Sequence, residues 1–185
     1  MKTGSLSTTP LICTIGHSNR PLEVFLELLQ ANEIARVLDV RTMPRSRYPQ
    51  FNRESLIEAL NVASISYTHL PGLGGLRHPR KDSINTGWDN ASFRGYADYM
   101  QSHEFTNQVE MVVKLASKER CALMCAEAVP WRCHRSLIGD ALLIRGIRVE
   151  DIFESDQRKP HLLTKFARVD GTQITYPKLD LFSLE

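Results

Sequence analysis

The sequence predicts an α/β fold, in which a mostly parallel five-stranded sheet is flanked by helices and followed by a C-terminal β-hairpin appendage. Short apolar runs that suit strands alternate, from residue 11 to residue 153, with segments whose apolar residues recur at helical spacing. This alternation is typical of a parallel sheet that is covered by helices. The dipeptide Asp170-Gly171 lies between two alternating segments and is a strong signal for a hairpin turn.

The predicted elements divide the chain into three parts. The strands are predicted over residues 11–15, 35–40, 66–70, 121–125 and 148–153, and the helices are predicted to begin near Pro21, Asn52, Tyr96, Phe105 and Cys133. Residues 71–95 contain five glycines and no regular pattern, so we expect a lid or binding loop, with a disordered insertion as the alternative. We thus expect a disordered N-terminus (1–10), an α/β domain (11–153) and a tail with the hairpin (154–185).

Composition and charge limit the possible functions. The chain has 185 residues with 23 basic and 21 acidic side chains, which gives a net charge of +2. A charge this small argues against a histone-like role, because attraction to a polyanion must then come from local clusters. No apolar run is long enough to span a bilayer, and the first ten residues lack the apolar region of a secretory signal. We therefore expect a cytoplasmic protein without membrane contact. The sequence does not indicate its oligomeric state.

Unusual polar residues follow the ends of four predicted strands. In a parallel α/β sheet, the right-handed crossover rule puts the strand-to-helix loops at one edge, and ligands of such sheets bind there. The loops expected at this carboxyl edge are residues 16–20, 41–47, 71–80 and 126–132. We therefore expect one site to which all four loops contribute.

The segment after the fourth strand has the highest concentration of reactive and charged side chains. Cys125 and Glu127 precede a predicted helix start that contains Cys133, His134 and Arg135. A helix N-terminus has a partial positive charge, so basic residues there oppose the usual preference and favour the binding of an anion. We expect Cys125, Glu127 and His134 to take part in catalysis, and Cys133 and Arg135 to bind the substrate. For Glu127, acid–base catalysis competes with a simple salt bridge to a nearby arginine.

Several interpretations of Cys125 remain open. A thiol at a strand end, before a basic helix start, loses its proton readily, so Cys125 is a candidate nucleophile, with a buried core thiol as an equal alternative. The cradle of cysteine phosphatases has arginine six residues after its cysteine, whereas this chain has Trp131 there. Zinc held by Cys125, Cys133, His134 and either His17 or His69 is the lesser alternative. The spacing fits no common zinc motif, and the adjacent Cys133 and His134 are expected to point in different directions. We therefore expect no cofactor.

The other loops supply further candidates for catalysis and binding. His17 is a candidate for proton transfer because it should face the same edge as Cys125. Asp39 is suited to orient a neighbouring arginine or histidine, and the arginines at 41, 45 and 47 suit a fork-like hold on phosphate. The alternative is a solvated basic loop in which Asp39 pairs with Arg41. The candidates for substrate binding from these loops are Gly16, Ser18, Asp39, Arg41, Arg45, Ser46, Gly74, Gly75 and Arg77.

Four ordered motifs resemble the domain of unknown function family 488. They are Thr14-Ile15-Gly16-His17-Ser18, Asp39-Val40-Arg41 with Pro44 and Ser46, Leu73-Gly74-Gly75, and Cys125-Ala126-Glu127 with Cys133-His134-Arg135. The resemblance extends from residue 11 to about residue 153. It implies that these residues form one set, but it implies no reaction, because that family has no securely assigned activity.

These observations predict an enzyme that acts on an anionic, phosphate-bearing or nucleotide-like substrate by hydrolysis or group transfer. Redox chemistry is disfavoured because the sequence has no cofactor fingerprint. The alternative is a non-catalytic DNA- or RNA-binding module that uses the same basic loops, with Trp88, Trp131, Tyr48 and Tyr67 available to stack on bases. The expected partner is accordingly an anionic small molecule or a nucleic acid.

Overall fold

The computed structural model describes residues 9–154 and 157–178. The strands are β1 (Leu11–Gly16), β2 (Arg36–Asp39), β3 (Ser66–His69), β4 (Cys121–Cys125), β5 (Arg148–Glu154), β6 (Gln157–Pro160), β7 (Arg168–Asp170) and β8 (Gln173–Thr175). The helices are α1 (Leu22–Ala31), α2 (Arg53–Val62), α3 (Ala91–Tyr99), α4 (His103–Ala116) and α5 (Arg135–Leu143). Short 3-10 turns lie at Pro49–Phe51, Pro71–Leu73 and Pro130–Arg132.

One six-stranded sheet, in the order β3-β2-β4-β1-β5-β6, forms the centre of the molecule. The first five strands are parallel, and β6 is antiparallel to β5. The prediction of an α/β fold with a mostly parallel sheet is confirmed, but the predicted number of five strands is one too low. Strand β6 was missed because its polar residues are all exposed and only its backbone pairs with β5. Such an edge strand leaves no apolar pattern in the sequence.

Buried apolar side chains cover both faces of the sheet. On β1, Ile12 belongs to one core, whereas Cys13 and Ile15 belong to the other, as the alternation of side chains along a strand requires. Helices α1 and α2 pack on the second core, and α3, α4 and α5 pack on the first. Among the described residues, no helix has the length and apolar character needed to cross a membrane.

The irregular stretch between β3 and α3 is held by buried polar contacts. Asp98 accepts hydrogen bonds from the hydroxyl of Ser83 at 2.6 Å and from the side-chain amide of Asn85 at 2.8 Å. The amide oxygen of Asn85 accepts in turn from the backbone N–H of Tyr176 at 2.8 Å. These bonds connect the stretch to α3 and to the segment after β8.

Helix α3 begins earlier than the sequence pattern predicts. It starts at Ala91, whereas helical spacing was evident only from Tyr96. The carboxamide oxygen of Asn90 accepts hydrogen bonds from the N–H groups of Ser92 and Phe93, which satisfies two donors of the first turn. This cap brings the first turn of α3 to the carboxyl edge of the sheet.

The C-terminal hairpin is present as predicted. Strands β7 and β8 pair antiparallel around Gly171, whose φ of 58° is in the left-handed region that glycine adopts easily. The predicted disordered N-terminus, residues 1–10, lies outside the described residues except for Thr9 and Pro10. The tail also contributes β6 to the main sheet, so its residues are part of the central architecture.

A buried charged cluster ties the tail to the sheet and to α5. The ring of His161 lies 3.0 Å from Asp140 and 3.4 Å from Asp151. Tyr176 donates its hydroxyl proton to Asp140 at 2.9 Å, and Thr14 donates to Asp151 at 2.6 Å. Burial by itself would lower the pKa of His161, but the hydrogen bonds and charges of the two aspartates outweigh it and raise the pKa to about 9. His161 is therefore protonated at neutral pH.

The charge of His161 should make the stability of the protein depend on pH. Because the pKa of His161 is raised from 6.5 in the unfolded chain to about 9 in the folded protein, its stabilising contribution is complete below pH 6.5 and is lost as the pH rises through 9. We expect the free energy of unfolding to fall by about 3 kcal/mol over this interval. In His161→Gln this fall should disappear, whereas His103→Gln, at an exposed position, should keep it. Urea denaturation between pH 6 and 10 measures the free energy of unfolding. An equal fall of this free energy with pH in His161→Gln and in the wild type would contradict the prediction.

Candidate functional site

Parallel register brings the predicted loops together at the carboxyl edge. Gly16, the last residue of β1, pairs with Cys125, the last residue of β4, and Asp39 at the end of β2 pairs with Met124. The loop after β4 passes directly over Gly16, because a Cβ there would lie 1.8 Å from the carbonyl oxygen of Glu127. Glycine at this position thus permits the close approach of the two loops.

A cleft with a volume of about 360 Å³ opens at this edge. Seven of the residues predicted for the site line it, namely Arg41, Arg45, Gly75, Cys125, Glu127, Cys133 and His134. The remaining lining residues are Thr42, Met43, Leu76, Ser92, Phe93, Ala126 and Arg132.

Two thiols and an imidazole converge at the inner end of the cleft. The sulfurs of Cys125 and Cys133 and a ring nitrogen of His134 all lie within 4.8 Å of one another. The prediction that Cys133 and His134 point in different directions is therefore wrong. Cys133 has an extended backbone (φ −133°, ψ 143°), and His134 turns into the helical region (φ −56°, ψ −14°). Because α5 begins only at Arg135, two residues later than predicted, this change of backbone conformation lets both side chains face the cleft.

The sulfurs of Cys125 and Cys133 are close neighbours, which makes one thiol more acidic. Hydrogen bonding from the Cys133 thiol to the Cys125 thiolate is the largest cause that lowers the pKa of Cys125. The charge of Arg135 and the N–H groups of Ala126 and Glu127 act in the same direction, and together they overcome burial and lower this pKa from 9.0 to about 7. The same bond raises the pKa of Cys133. Near neutral pH, the pair thus gives up its first proton easily and its second with difficulty.

The imidazole of His134 is neutral at physiological pH. Burial, and then the charge of Arg135, lower the pKa of His134 to about 4. Its Nε2 lies 3.3 Å from the carbonyl oxygen of Val40, and its Nδ1 lies 3.7 Å from the sulfur of Cys133. Gly75 makes room for the ring, because a Cβ there would lie 2.4 Å from Nδ1.

Arg135 places a positive charge beneath the cleft. Its side chain is 1% exposed, and its Nη2 donates to the carbonyl oxygen of Glu127 at 3.0 Å. Nε and Nη1 have no hydrogen-bond partner among the described residues. Within residues 9–154 and 157–178, Arg135 also forms no salt bridge with a carboxylate. A buried guanidinium with free donors and no counter-charge suits a site for anionic groups.

Arg41, in contrast, is paired with a carboxylate. Its guanidinium forms a two-pronged ion pair with Asp39, with Nη2 at 2.5 Å and Nε at 2.8 Å from the carboxylate oxygens. Asp39 also accepts from the hydroxyl of Tyr67 at 2.8 Å, and Nη1 of Arg41 donates to the carbonyl oxygen of Phe51 at 2.9 Å. Asp39 therefore orients Arg41. This pairing was also part of the alternative of a solvated basic loop, but both side chains are buried.

His17 lies behind Arg41 and does not line the cleft. Its ring stacks on Phe51, with 4.3 Å between the ring centroids. Nδ1 lies 2.9 Å from the carbonyl oxygen of Ser18, and Nε2 lies 3.4 Å from Nη1 of Arg41. Burial is the main cause that lowers the pKa of His17 to about 4. The neutral ring is thus placed to position Arg41, and a catalytic role for His17 stays a prediction.

The glycine-rich loop supports the cleft from one side. Gly74 packs so closely on Thr42 that a Cβ would lie 2.1 Å from its Oγ1. Arg77 donates from Nε to the carbonyl oxygen of Gly74 at 3.3 Å, and its guanidinium lies 3.6 Å from the centroid of the Tyr99 ring. Arg77 does not line the cleft and holds the conformation of the loop.

Two predicted serines lie outside the cleft. Ser18 adopts a left-handed backbone with φ of 49°, and its N–H donates to the carbonyl oxygen of Ala126 at 2.9 Å. The hydroxyl of Ser46 accepts from the N–H of Tyr48 at 3.1 Å, and its own N–H donates to the side chain of Asn52. Both serines therefore shape loops next to the site.

Sequence reasoning missed part of the cleft wall. Ser92 and Phe93 line it because α3 starts at Ala91. The spacing of Phe93, Tyr96 and Met100, after the capping Asn90, was the signal for this earlier start. Arg132 belongs to the segment that was singled out, but its place on the wall depends on the 3-10 turn before α5.

The hydroxyl of Tyr67 should contribute measurably to stability, because it donates to the fully buried carboxylate of Asp39. We expect Tyr67→Phe to lower the free energy of unfolding by about 1.5–3 kcal/mol, as for other hydrogen bonds to charged groups. Tyr48→Phe is the matched control, because its hydroxyl bonds to no other described residue, and it should change the free energy by less than about 0.5 kcal/mol. Urea denaturation measures both variants, and equal effects would disprove a role for the bond.

Comparison with known proteins agrees with the motifs. No curated protein and no solved structure matches the chain. Residues 21–142 match DUF488, a domain of unknown function. The matched range contains β2, β3 and β4, their loops and the segment from Cys125 to Arg135, but it leaves out the loop after β1. Because the match covers more than half of the sequence, the chain belongs to the family of the domain of unknown function DUF488.

Proposed function

We propose that the protein is an enzyme that binds an anionic, phosphate-bearing or nucleotide-like substrate in the cleft and acts on it by hydrolysis or group transfer. The charge of the cleft is the observation that carries this proposal. Three arginines, Arg41, Arg45 and Arg132, line the cleft with a single carboxylate, Glu127, and Arg135 lies beneath them without a counter-charge. An anionic ligand would compensate this excess of positive charge.

The three arginines that line the cleft are not equally available to bind an anion. Asp39 neutralises Arg41, whereas Arg45 and Arg132 are exposed and form no salt bridge with any described carboxylate. A guanidinium presents several N–H donors in a plane and can bind two phosphate oxygens at once. Arg45 and Arg132 are therefore the side chains that we expect to bind the anionic part of the substrate.

The mouth of the cleft also has an apolar side. Met43 is 60% exposed and Leu76 is 78% exposed, and both line the cleft together with the half-buried ring of Phe93. Exposed apolar side chains around a polar site suit a ligand with a planar or apolar part. This combination favours a nucleotide-like substrate over a small inorganic anion.

Glu127 is the candidate acid–base group. Its side chain is exposed in the cleft and forms no salt bridge with a described cation, so the simple salt bridge considered from the sequence is absent there. In hydrolysis, Glu127 would take a proton from the attacking water and return it to the leaving group. The net reaction adds one water across the bond that breaks, and in group transfer an alcohol or amine takes the place of water.

The arrangement of aromatic residues supports an enzyme over a nucleic-acid-binding module. Trp88 is half-buried and packs against Phe93 and other rings, and Tyr67 is half-buried with its hydroxyl bonded to Asp39. Of the four aromatic residues proposed to stack on bases, Trp131 is the one with a large exposed fraction, 64%. A groove for single strands usually has a row of exposed rings.

Loss of the Glu127 carboxylate should reduce turnover more than binding. On a substrate found by screening nucleotides, phosphoesters and nucleic acids, we expect Glu127→Gln to lower kcat by about 10²–10⁴-fold with little change in KM. Glu58→Gln, at an exposed position of α2, is the matched control and should behave like the wild type. Unchanged kcat in Glu127→Gln would refute the role of the carboxylate.

Removal of the exposed arginines should weaken binding of the anion. We expect Arg45→Ala and Arg132→Ala each to raise KM about tenfold, because each loses a charge-assisted contact of roughly 1–2 kcal/mol. Arg168→Ala on the hairpin, which also removes an exposed arginine, should leave KM unchanged. Steady-state kinetics measures these values. Strongly salt-dependent binding of DNA or RNA, without turnover of any compound, would instead favour the binding module.

A further inference from the structure

The inner end of the cleft contains a compact set of metal ligands. A tetrahedral zinc ion with bonds of about 2.3 Å to sulfur and about 2.0 Å to nitrogen holds a sulfur and a nitrogen about 3.5 Å apart and two sulfurs about 3.8 Å apart. The sulfur of Cys133 and Nδ1 of His134 are 3.7 Å apart, and the sulfur of Cys125 lies within 4.8 Å of both. The three donor atoms thus nearly have the spacing that a bound ion requires.

We propose that Cys125, Cys133 and His134 bind a zinc ion through two thiolates and one imidazole nitrogen, with a fourth coordination position open to the cleft. All three residues line the cleft, so a fourth ligand can approach from its open side. Three protein ligands with an open position are typical of catalytic zinc, whereas structural zinc is closed by four. Thiolates and imidazole favour zinc over the hard cations Mg²⁺ and Ca²⁺.

The surroundings of His134 are those of a metal ligand. If Nε2 donates its proton to the carbonyl oxygen of Val40, 3.3 Å away, the lone pair of Nδ1 faces the thiols. Histidine ligands commonly donate their second ring N–H to a carbonyl or carboxylate group in this way. Gly75 leaves room for the ring in this orientation, because any side chain there would collide with Nδ1.

The charges of the site are compatible with a bound zinc ion when both cysteines are thiolates. The two charges of zinc balance two thiolates, so the positive charge of Arg135 is left for an anion in the cleft. The N–H groups of Ala126 and Glu127 point toward the sulfur of Cys125 and would stabilise its thiolate form. Metal binding and anion binding are therefore compatible at adjacent positions of one site.

The ion would give Glu127 a function in hydrolysis. Zinc lowers the pKa of a bound water to about 7, so that a nearby carboxylate can accept its proton at neutral pH. Glu127 lines the same cleft as the three ligands and follows Cys125 by two residues. This use of the ion rests on the proposed function, whereas binding of the ion does not. It also makes Cys125 a ligand, and a nucleophilic role for Cys125 becomes the alternative.

Cobalt binding by the full-length protein tests the site. The reduced protein is freed of metal with a chelator, the chelator is removed, and Co²⁺ is added. We expect one Co²⁺ per chain, with the absorption of a tetrahedral ion and a thiolate-to-cobalt charge-transfer band of the strength of two thiolates. One equivalent of Zn²⁺ should abolish both signals. A folded protein that shows no charge-transfer band would overturn the proposal.

Substitutions assign the ligands. Cys125→Ser, Cys133→Ser and His134→Ala should each weaken Co²⁺ binding by about 100-fold or more, because each removes a direct ligand. Cys121→Ser, at the other end of the same strand and outside the cleft, should bind Co²⁺ like the wild type. Circular dichroism shows whether each variant folds. The charge-transfer band of the wild-type protein already reports the number of thiolate ligands. The proposal can therefore be decided even when a variant fails to fold. Full cobalt binding by a folded Cys133→Ser variant would refute the ligand set.

Activity in the presence of chelator separates this proposal from the proposed function. Turnover by a protein that binds neither Co²⁺ nor Zn²⁺ would overturn the metal site and leave the enzymatic function standing, with loss of turnover in Cys125→Ser then assigning the nucleophile. Stoichiometric metal binding without turnover of any compound in the screen would confirm the site and count against the enzymatic function.

Discussion

The burial of Arg135 is the constraint on which the site depends. A guanidinium cannot give up its proton inside a protein, and a buried ion without a counter-charge costs several kcal/mol. Arg135 is almost fully buried at the first position of α5, yet two of its nitrogens have no partner among the described residues. Its charge acts together with the Cys133 thiol to lower the pKa of Cys125, and together with burial to lower the pKa of His134. The inner end of the cleft is therefore prepared for negative charge, whether from thiolates or from a bound anion.

The two buried arginines, Arg41 and Arg135, have different roles in the cleft. Arg41 forms an ion pair with Asp39, which also accepts a hydrogen bond from the hydroxyl of Tyr67. The charge of Arg41 is therefore neutralised within the protein. His17 completes this support from behind. Arg135 has a carbonyl oxygen as its partner in place of a carboxylate. The first arginine thus holds part of the cleft wall in place, and the second adds to the positive electrostatic potential of the cleft.

Sequence reasoning succeeded where apolar patterns and chain topology decide the structure. The alternation of strands and helices reflects burial on both faces of the sheet, and the crossover rule then brings the ends of β1, β2 and β4 together. Seven predicted residues line the cleft for this reason. The polar strand β6 could not be predicted, because backbone pairing at a sheet edge has no pattern of its own. The convergence of Cys133 and His134 was also out of reach, because it depends on the backbone angles of two adjacent residues.

The dependence of the thiols on Arg135 can be measured directly in metal-free protein. Mass spectrometry of the Cys125 peptide, after brief alkylation over a range of pH, gives the midpoint at which Cys125 loses its proton. The midpoint should lie near pH 7 in the wild type. In Arg135→Met, which keeps the length of the side chain and removes its charge, it should rise by about one unit or more. An unchanged midpoint in a folded Arg135→Met variant would contradict the claim that this buried charge prepares the site.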